Sequence, residues 1–459
     1  MQFILRQRPF SVEKPEIFRY NEKLNDHTDK TVQKRRKVRE KGQACGKRAS
    51  SARAKGEWTL EFLEHFRFLY DGVAYFFKSN PVLTEDGVQM VPGWKYLVMF
   101  LIGGVLIYLA LVKDFEPALL MPMGFGAILV NIPFSGAVGA AEDGSLGIID
   151  WLFNVGITAS EALPLLLFIG IGAMIDFGPL LSNPKMFLFG AAAQFGIFFT
   201  VLVASFFFPF KDAAAIGIIG AADGPTSILV SRIFDSQYIG AIAVAAYSYM
   251  ALVPIIQPAA IKLVTTKKER QIRMPYNPQS VSRKTRILFP IIVTIIAGLV
   301  APKSVSLVGM LMFGNLLREC LKLESLSQTA QTTLANLITI VLGLTIASSM
   351  KAYKFVDPAT LLIMALGLVA FVFDTIGGVL FAKLMNLFLP QGKKINPMVG
   401  GAGISAFPMS ARVIQKMALK EDNQNHLLMH AVGANVAGQI GSVVAGGIIL
   451  TVVPRLIGA

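Results

Sequence analysis

The chain has 459 residues, 54% apolar and 16% charged, with a mean hydropathy of +0.57; a soluble chain of this length carries ~25% charged residues, which argues against a soluble enzyme. The formal net charge is +14, yet residues 1–56 alone hold 16 Lys/Arg against 6 Asp/Glu. The basicity therefore belongs to a leading tail and gives little reason to expect a nucleic-acid partner.

Familiar soluble chemistries find no foothold. Cys45 and Cys320 cannot form a disulfide framework or a Cys-rich metal site. His426 and His430 lie one helical turn apart, but without the Glu of a zinc-protease motif or a third ligand nearby. Gly42 to Lys47, GQACGK, is one residue short of a phosphate-binding loop and precedes no strand-helix unit. Bound nucleotide is not the expected energy source.

In chain order, residues 1–56 are a charged tail whose composition predicts disorder, with attraction to a membrane surface as the functional alternative. Residues 57–94 read as an amphipathic lead-in, with Leu60, Phe62, Leu63, Phe66 and Leu69 near helical spacing and Gly93-Trp94 at an interface. Apolar spans follow at about 96–112, 117–133, 147–172, 186–209, 213–230, 239–264, 287–301, 305–317, 334–350, 358–389, 397–409 and 427–453. A bilayer core of ~30 Å needs ~20 helical residues, so the shorter, Gly/Pro-broken spans predict discontinuous or re-entrant helices. Such backbone survives at membrane depth only inside protein or along a wet cavity, so the breaks point to the site. The loop from Thr265 to Arg286 carries seven Lys/Arg against one Glu, which makes it cytoplasmic.

Three acids lie inside apolar runs, where a carboxylate costs ~2.5 to 3.5 kcal/mol on insertion scales: Asp176 before Phe-Gly-Pro, Asp223 before Gly-Pro-Thr, and Asp374 before a Gly pair that is expected to break its helix. Each is a functional candidate, the alternative being a carboxylate hydrogen-bonded for structure. The Asp176 and Asp223 interruptions echo two in the second half, INPMVGGAGISAFPMSARV at 395–413 and GANVAGQIGS at 433–442. Paired interruptions of this kind predict an all-α polytopic membrane protein of two inverted halves, about 95–264 and 287–459, with an ion site at the midplane. Asp176, Ser405 and Asn435 supply a carboxylate, a hydroxyl and an amide, hard oxygens suited to Na⁺. Arg412 ends the first of the second-half segments; it either receives a carboxylate-bearing ligand or snorkels to the interface.

The motifs IDFGPLLSNP, AAAQFGIF, AIGIIGAADGPTSI, AIAVAAYSYMALVPIIQP, FGNLLRE, NPMVGGAGISAFPMSARV and LLMHAVGANVAGQIGS resemble, in this order, the β-subunit of the bacterial sodium-translocating biotin-dependent decarboxylases, over about residues 95–455. The resemblance implies an inner-membrane subunit that decarboxylates carboxybiotin and uses the free energy to export Na⁺. It implies that Asp176 handles Na⁺ and H⁺, that Asn396, Gly400, Ser405 and Arg412 are the functional positions of the second-half segment, and that Asn435 is a sodium ligand. A tyrosine credited in some members after DFGPLL has no counterpart in 186–210, leaving Tyr247 and Tyr249 as the available phenols. No biotin-attachment Met-Lys-Met occurs here, so carboxybiotin would come from a biotin carrier, alongside a carboxyltransferase subunit and a small membrane anchor subunit in an oligomeric complex. The alternative from the residues alone is a self-contained Na⁺-coupled transporter or Na⁺/H⁺ exchanger.

Overall fold

The computed structural model describes residues 71–84, 87–114, 117–139, 146–275, 281–390 and 392–457. The expectations for the tail and for the helical spacing of Leu60 to Leu69 lie outside the described residues. The chain divides into Met1–Val73 and Ala74–Ala459, and the second unit carries everything below.

The lead-in expectation needs one correction. Its described part holds an antiparallel hairpin, β1 (Ser79–Thr84) on β2 (Gly87–Pro92), the one sheet among the described residues. Alternating residues such as Val88 and Met90, with Pro81 inside this two-stranded edge and Pro92 at its end, suit strands and not a helix.

The rest is helical. In order come α1 (Trp94–Val112), α2 (Pro117–Val130), α3 (Ile148–Ala159), α4 (Ala162–Met174), α5 (Gly178–Ser182), α6 (Met186–Ala204), α7 (Phe210–Gly217), α8 (Gly224–Ile233), α9 (Ile239–Val264), α10 (Arg283–Val300), α11 (Val305–Glu319), α12 (Leu321–Met350), α13 (Pro358–Phe388), α14 (Pro397–Gly401), α15 (Met409–Glu421) and α16 (Leu428–Leu456). Six of them, α1, α6, α9, α12, α13 and α16, are long and apolar enough to cross a membrane, and α3 and α4 form a further candidate span bent by 72°. Exposed Leu101, Leu202, Ile295 and Leu299 dress the outside in hydrocarbon, as lipid contact requires.

Two interrupted segments organise the interior. Between α7 and α8 a 3₁₀ turn, Ile218–Ala221, leads to Ala222 at φ 52°, a left-handed conformation costing an L-residue about 1–2 kcal/mol. Asp223 then caps α8 by accepting from Thr226 N–H at 3.3 Å, with Pro225 pre-set in the first turn. Between α14 and α15 the chain runs irregularly through residues 402–408; Asn396 caps α14 through Met398 N–H at 3.1 Å. The ends of each segment stay together. Ser236 Oγ donates to Asp212 Oδ1 at 2.6 Å beside the start of α9, whereas Arg270, just past the end of α9, pairs with Glu421 at 2.8 Å and accepts from Asn396 Nδ2 at 2.8 Å.

Two expected breaks are absent. Residues 433–442 run inside the continuous α16, and Gly377-Gly378 inside the continuous α13. These glycines bring backbones together instead: a Cβ on Gly378 would come 2.8 Å from the carbonyl carbon of Gly400, and one on Gly441 2.9 Å from the Gly190 carbonyl oxygen. Lipid gives helices no hydrophobic reason to associate, so close approach over small residues supplies the packing.

Candidate functional site

The two interrupted segments touch at their tips. Ser405 donates its N–H at 3.1 Å and its hydroxyl at 2.7 Å to the carbonyl oxygen of Ala221, two residues before Asp223. Helix α16 closes the side of this junction. Asn435 Nδ2 donates to the Ile404 carbonyl at 2.6 Å, Gln439 Nε2 to the Ser405 carbonyl, and Ser442 Oγ to Asp223 Oδ2 at 2.8 Å. Thr226 Oγ1 adds a 2.7 Å donor to the same carboxylate oxygen. All of these side chains are buried.

Asn435, Gln439 and Ser442 stand at i, i+4 and i+7, one face of α16. That polar stripe within GANVAGQIGS was the signal for Gln439 and Ser442, which motif reading passed over. Asn435 Oδ1 is buried with no donor, an acceptor left over beside the Ile404 carbonyl that its own amide holds. A buried acceptor without a donor is costly, and a cation coordinated there would remove that cost. Carboxylate, hydroxyl, amide and carbonyl oxygens make a hard donor set that fits a small alkali cation. The phenols divide: Tyr249 OH donates to the Met364 carbonyl of α13, while Tyr247 OH is buried without a partner and its ring lies where a Cβ on Gly224 would fall.

Asp176 was expected to join Ser405 and Asn435, and its described contacts run elsewhere. Its Oδ1 accepts from Arg286 at 2.7 Å and from Gly178 N–H at 2.8 Å, Arg318 stands 4.0 Å from Oδ2, and its side chain is 40% exposed. Arg286 also lies 3.1 Å from Glu319. This cluster ties α5 to the start of α10 and the end of α11, at the end of the molecule that holds the basic loop. The local cause is the break after α4, where Ile175 turns extended and Asp176 satisfies the freed Gly178 N–H.

Asn396 and Gly400 have structural contacts. Both polar ends of the Asn396 amide are committed, Oδ1 to Met398 N–H and Nδ2 to the Arg270 and Ile272 carbonyls. Gly400 packs so closely on α13 that a Cβ would lie 2.6 Å from the Gly378 carbonyl carbon. Arg412 is different: on α15, seven residues beyond Ser405, it is exposed and has no side-chain partner among the described residues. Asp374 is buried in α13 against α6.

A multi-pass helical protein with a carboxylate and neutral oxygens buried where two helix breaks meet is a membrane ion-transport protein. The family model described as "Na+-transporting oxaloacetate decarboxylase beta subunit" matches residues 95–453, and the chain belongs to that family. It is 46% identical to the probable oxaloacetate decarboxylase beta chain of Vibrio cholerae (78% of this chain, 95% of the relative). It is 48% identical to the methylmalonyl-CoA decarboxylase subunit beta of Propionigenium modestum (77% and 94%), and 49% identical to the glutaconyl-CoA decarboxylase subunit beta of Acidaminococcus fermentans (81% and 96%). The chain is thus a decarboxylase subunit that couples decarboxylation to Na⁺ export, a multi-pass protein of the bacterial inner membrane. Self-contained secondary transport, the rival reading, is set aside.

Proposed function

We propose that Na⁺ is bound between the tips of two re-entrant hairpins, α7–α8 and α14–α15, by Asp223, Ser405 and the free Oδ1 of Asn435, and that carboxybiotin is decarboxylated beside it at Arg412. The hairpins enter from opposite faces: their closed ends lie at opposite ends of α9, and a long helix precedes and follows each, α6 and α9 for one, α13 and α16 for the other. We read the two as an inverted pair around a transport site at the midplane. The basic loop, whose Arg270 holds the ends of the second hairpin, is read as setting those ends, and the approach to Arg412, on the cytoplasmic side. Ion handling falls to Asp223, and Asp176 is read as part of an ion-pair cluster at the cytoplasmic end.

The chemistry at Arg412 is cleavage of a carbamate. The N–CO₂⁻ bond of carboxybiotin breaks, its electron pair stays on nitrogen and takes up one proton, and CO₂ leaves. A guanidinium orients the carboxylate with two parallel hydrogen bonds as neutral CO₂ forms. A biotin carrier brings the carboxybiotin, a carboxyltransferase subunit loads it, and a small membrane anchor subunit completes the complex; the acid consumed is chosen by the carboxyltransferase.

The observation that carries this reading is the Ser405–Ala221 junction two residues from Asp223. The test is Na⁺ uptake into inside-out vesicles during decarboxylation: Asp223→Asn is expected to abolish it, and wild-type uptake by that variant refutes the site.

A further inference from the structure

Asp374 sits near the middle of α13, completely buried. One oxygen, Oδ1, accepts from Ile197 N–H at 3.0 Å. That donor is free because α6 is interrupted at Gln194, and an N–H at the start of the resumed helix has no carbonyl one turn back. The other oxygen, Oδ2, is buried with no donor. Gly220, in the 3₁₀ turn before Ala221 and Asp223, packs against this oxygen. A Cβ on Gly220 would lie 2.7 Å from Oδ2, and one on Gly196 2.6 Å from Oδ1. Two glycines on two elements thus clear room for this one carboxyl, which bridges the break in α6 to the back of the first hairpin's tip.

Capping the resumed half of α6 accounts for Oδ1 and not for Oδ2. An ionised carboxylate at this depth with an orphan oxygen is costly without a counter-charge. No Asp, Glu, Lys, Arg or His occurs in Met186–Ala204, Ile218–Ala222 or Pro397–Gly401, which pack on α13, and α7, which packs on it too, carries only the exposed Lys211 and Asp212, the acceptor of Ser236 Oγ. From α9 the facing titratable groups are Tyr249, committed to Met364 O, and Tyr247; Asp223 lies three residues past Gly220. Something must neutralise Asp374. No side-chain hydroxyl or amide donates to Oδ2 among the described residues, and a proton needs one oxygen where Na⁺ needs several.

We propose that Asp374 is a second cation-handling position of the transport domain, a proton-binding carboxyl set behind the tip of the first hairpin. Its Oδ2 rests on Gly220, whose neighbour Ala221 holds Ser405. Movement of that tip therefore changes the surroundings of the acid, and gain or loss of its proton biases where the tip rests. The inference leans on the proposed ion site only for the consequence of that bias; the protonated carboxyl stands without it.

The test is infrared spectroscopy of the purified, Na⁺-free complex. A protonated-carboxyl C=O band is expected in wild type and absent in Asp374→Asn, which keeps the acceptor for Ile197 N–H. The same variant is expected to assemble and to lose most of the pH dependence of the Na⁺ concentration for half-maximal decarboxylation. Where Asp374→Asn fails to assemble, Gly220→Ala is expected to shift the band by crowding Oδ2. A spectrum unchanged in these variants overturns the proposal, as does a band that Na⁺ removes in Asp223→Asn, since Na⁺ itself would then occupy Asp374. Failure of the ion site alone would leave the band in place while Asp223→Asn transports normally.

Discussion

Ser405 gives its backbone N–H and its hydroxyl to one acceptor, the carbonyl oxygen of Ala221, at 3.1 and 2.7 Å. Donating the hydroxyl proton away leaves the Oγ lone pairs for a cation and fixes their direction. Removing the hydroxyl takes one neutral ligand and one hydrogen bond, while the N–H link still holds the tips together. Ser405→Ala should therefore raise the Na⁺ concentration for half-maximal decarboxylation roughly 2- to 10-fold, the size of a hydrogen bond worth about 0.5–1.5 kcal/mol. Steady-state decarboxylation against Na⁺ measures this; an unchanged Na⁺ dependence removes Ser405 from the site.

Asp223 and Asp176 make opposite predictions. Asp223 is buried and held by Thr226 and Ser442 beside the junction, so Asp223→Asn should abolish coupled transport while the complex still assembles. Asp176 is 40% exposed, and its partnership with Arg286 is screened by water; such pairs contribute about 0–1 kcal/mol. Asp176→Asn should keep at least about half of wild-type Na⁺ uptake, in line with that small term. Parallel vesicle assays on the two variants decide the matter, and reversed outcomes would return the ion site to Asp176.

Much of this was legible in the sequence. Span 239–264 coincides with α9, and the Gly/Pro-broken runs around Asp223 and Ser405 are interrupted helices. What sequence could not supply was pairing. Asp176 and Asp223 stand in similar Asp-(Phe)-Gly-Pro settings, and only the Ala221–Ser405 contact, across 184 residues, shows which of them lies beside the second interrupted segment. Glycine was ambiguous for a related reason: Gly220 clears space for a side chain, Gly400 for a backbone, and Gly438 inside α16 interrupts nothing. An apolar window cannot distinguish a glycine that ends a helix from one that lets two helices touch.

The strap after α9 should respond to acid. Asp422 is held below the usual carboxylate range first by the Arg273 hydrogen bond and then by Gln424 N–H. For Glu269 burial pushes upward, but Thr266 N–H, Lys383 and the Thr266 hydroxyl outweigh it and the shift is also downward. A carboxyl depressed in the folded state adds stability above its unfolded value of about 4, lost as pH falls through the depressed value. Hydrogen-exchange protection of residues 266–275 in the purified complex, taken relative to the intrinsic rate at each pH, should hold steady from about pH 8 to 5 and fall below about pH 4. A loss of protection between pH 8 and 6 would assign the strap's hold to another group.

Arg412 makes the most exposed prediction. It has no partner among the described residues, and its Cα follows Pro408 on the returning arm of the hairpin whose tip carries Ser405. A guanidinium there meets an incoming carboxylate with two parallel donors, which fixes the plane of the carbamate. Holding the starting carboxylate too tightly would slow its conversion to CO₂, so the residue must orient more than it stabilises. Lysine keeps the charge and loses the fork. Arg412→Lys should assemble and bind Na⁺ as wild type does, yet decarboxylate free carboxybiotin at least about tenfold more slowly, the loss of roughly 1.4 kcal/mol of transition-state stabilisation. Arg412→Ala should be slower still. Wild-type turnover by either variant would make Arg412 an interfacial anchor, its stem packed on the hairpin and its charge serving only to reach water.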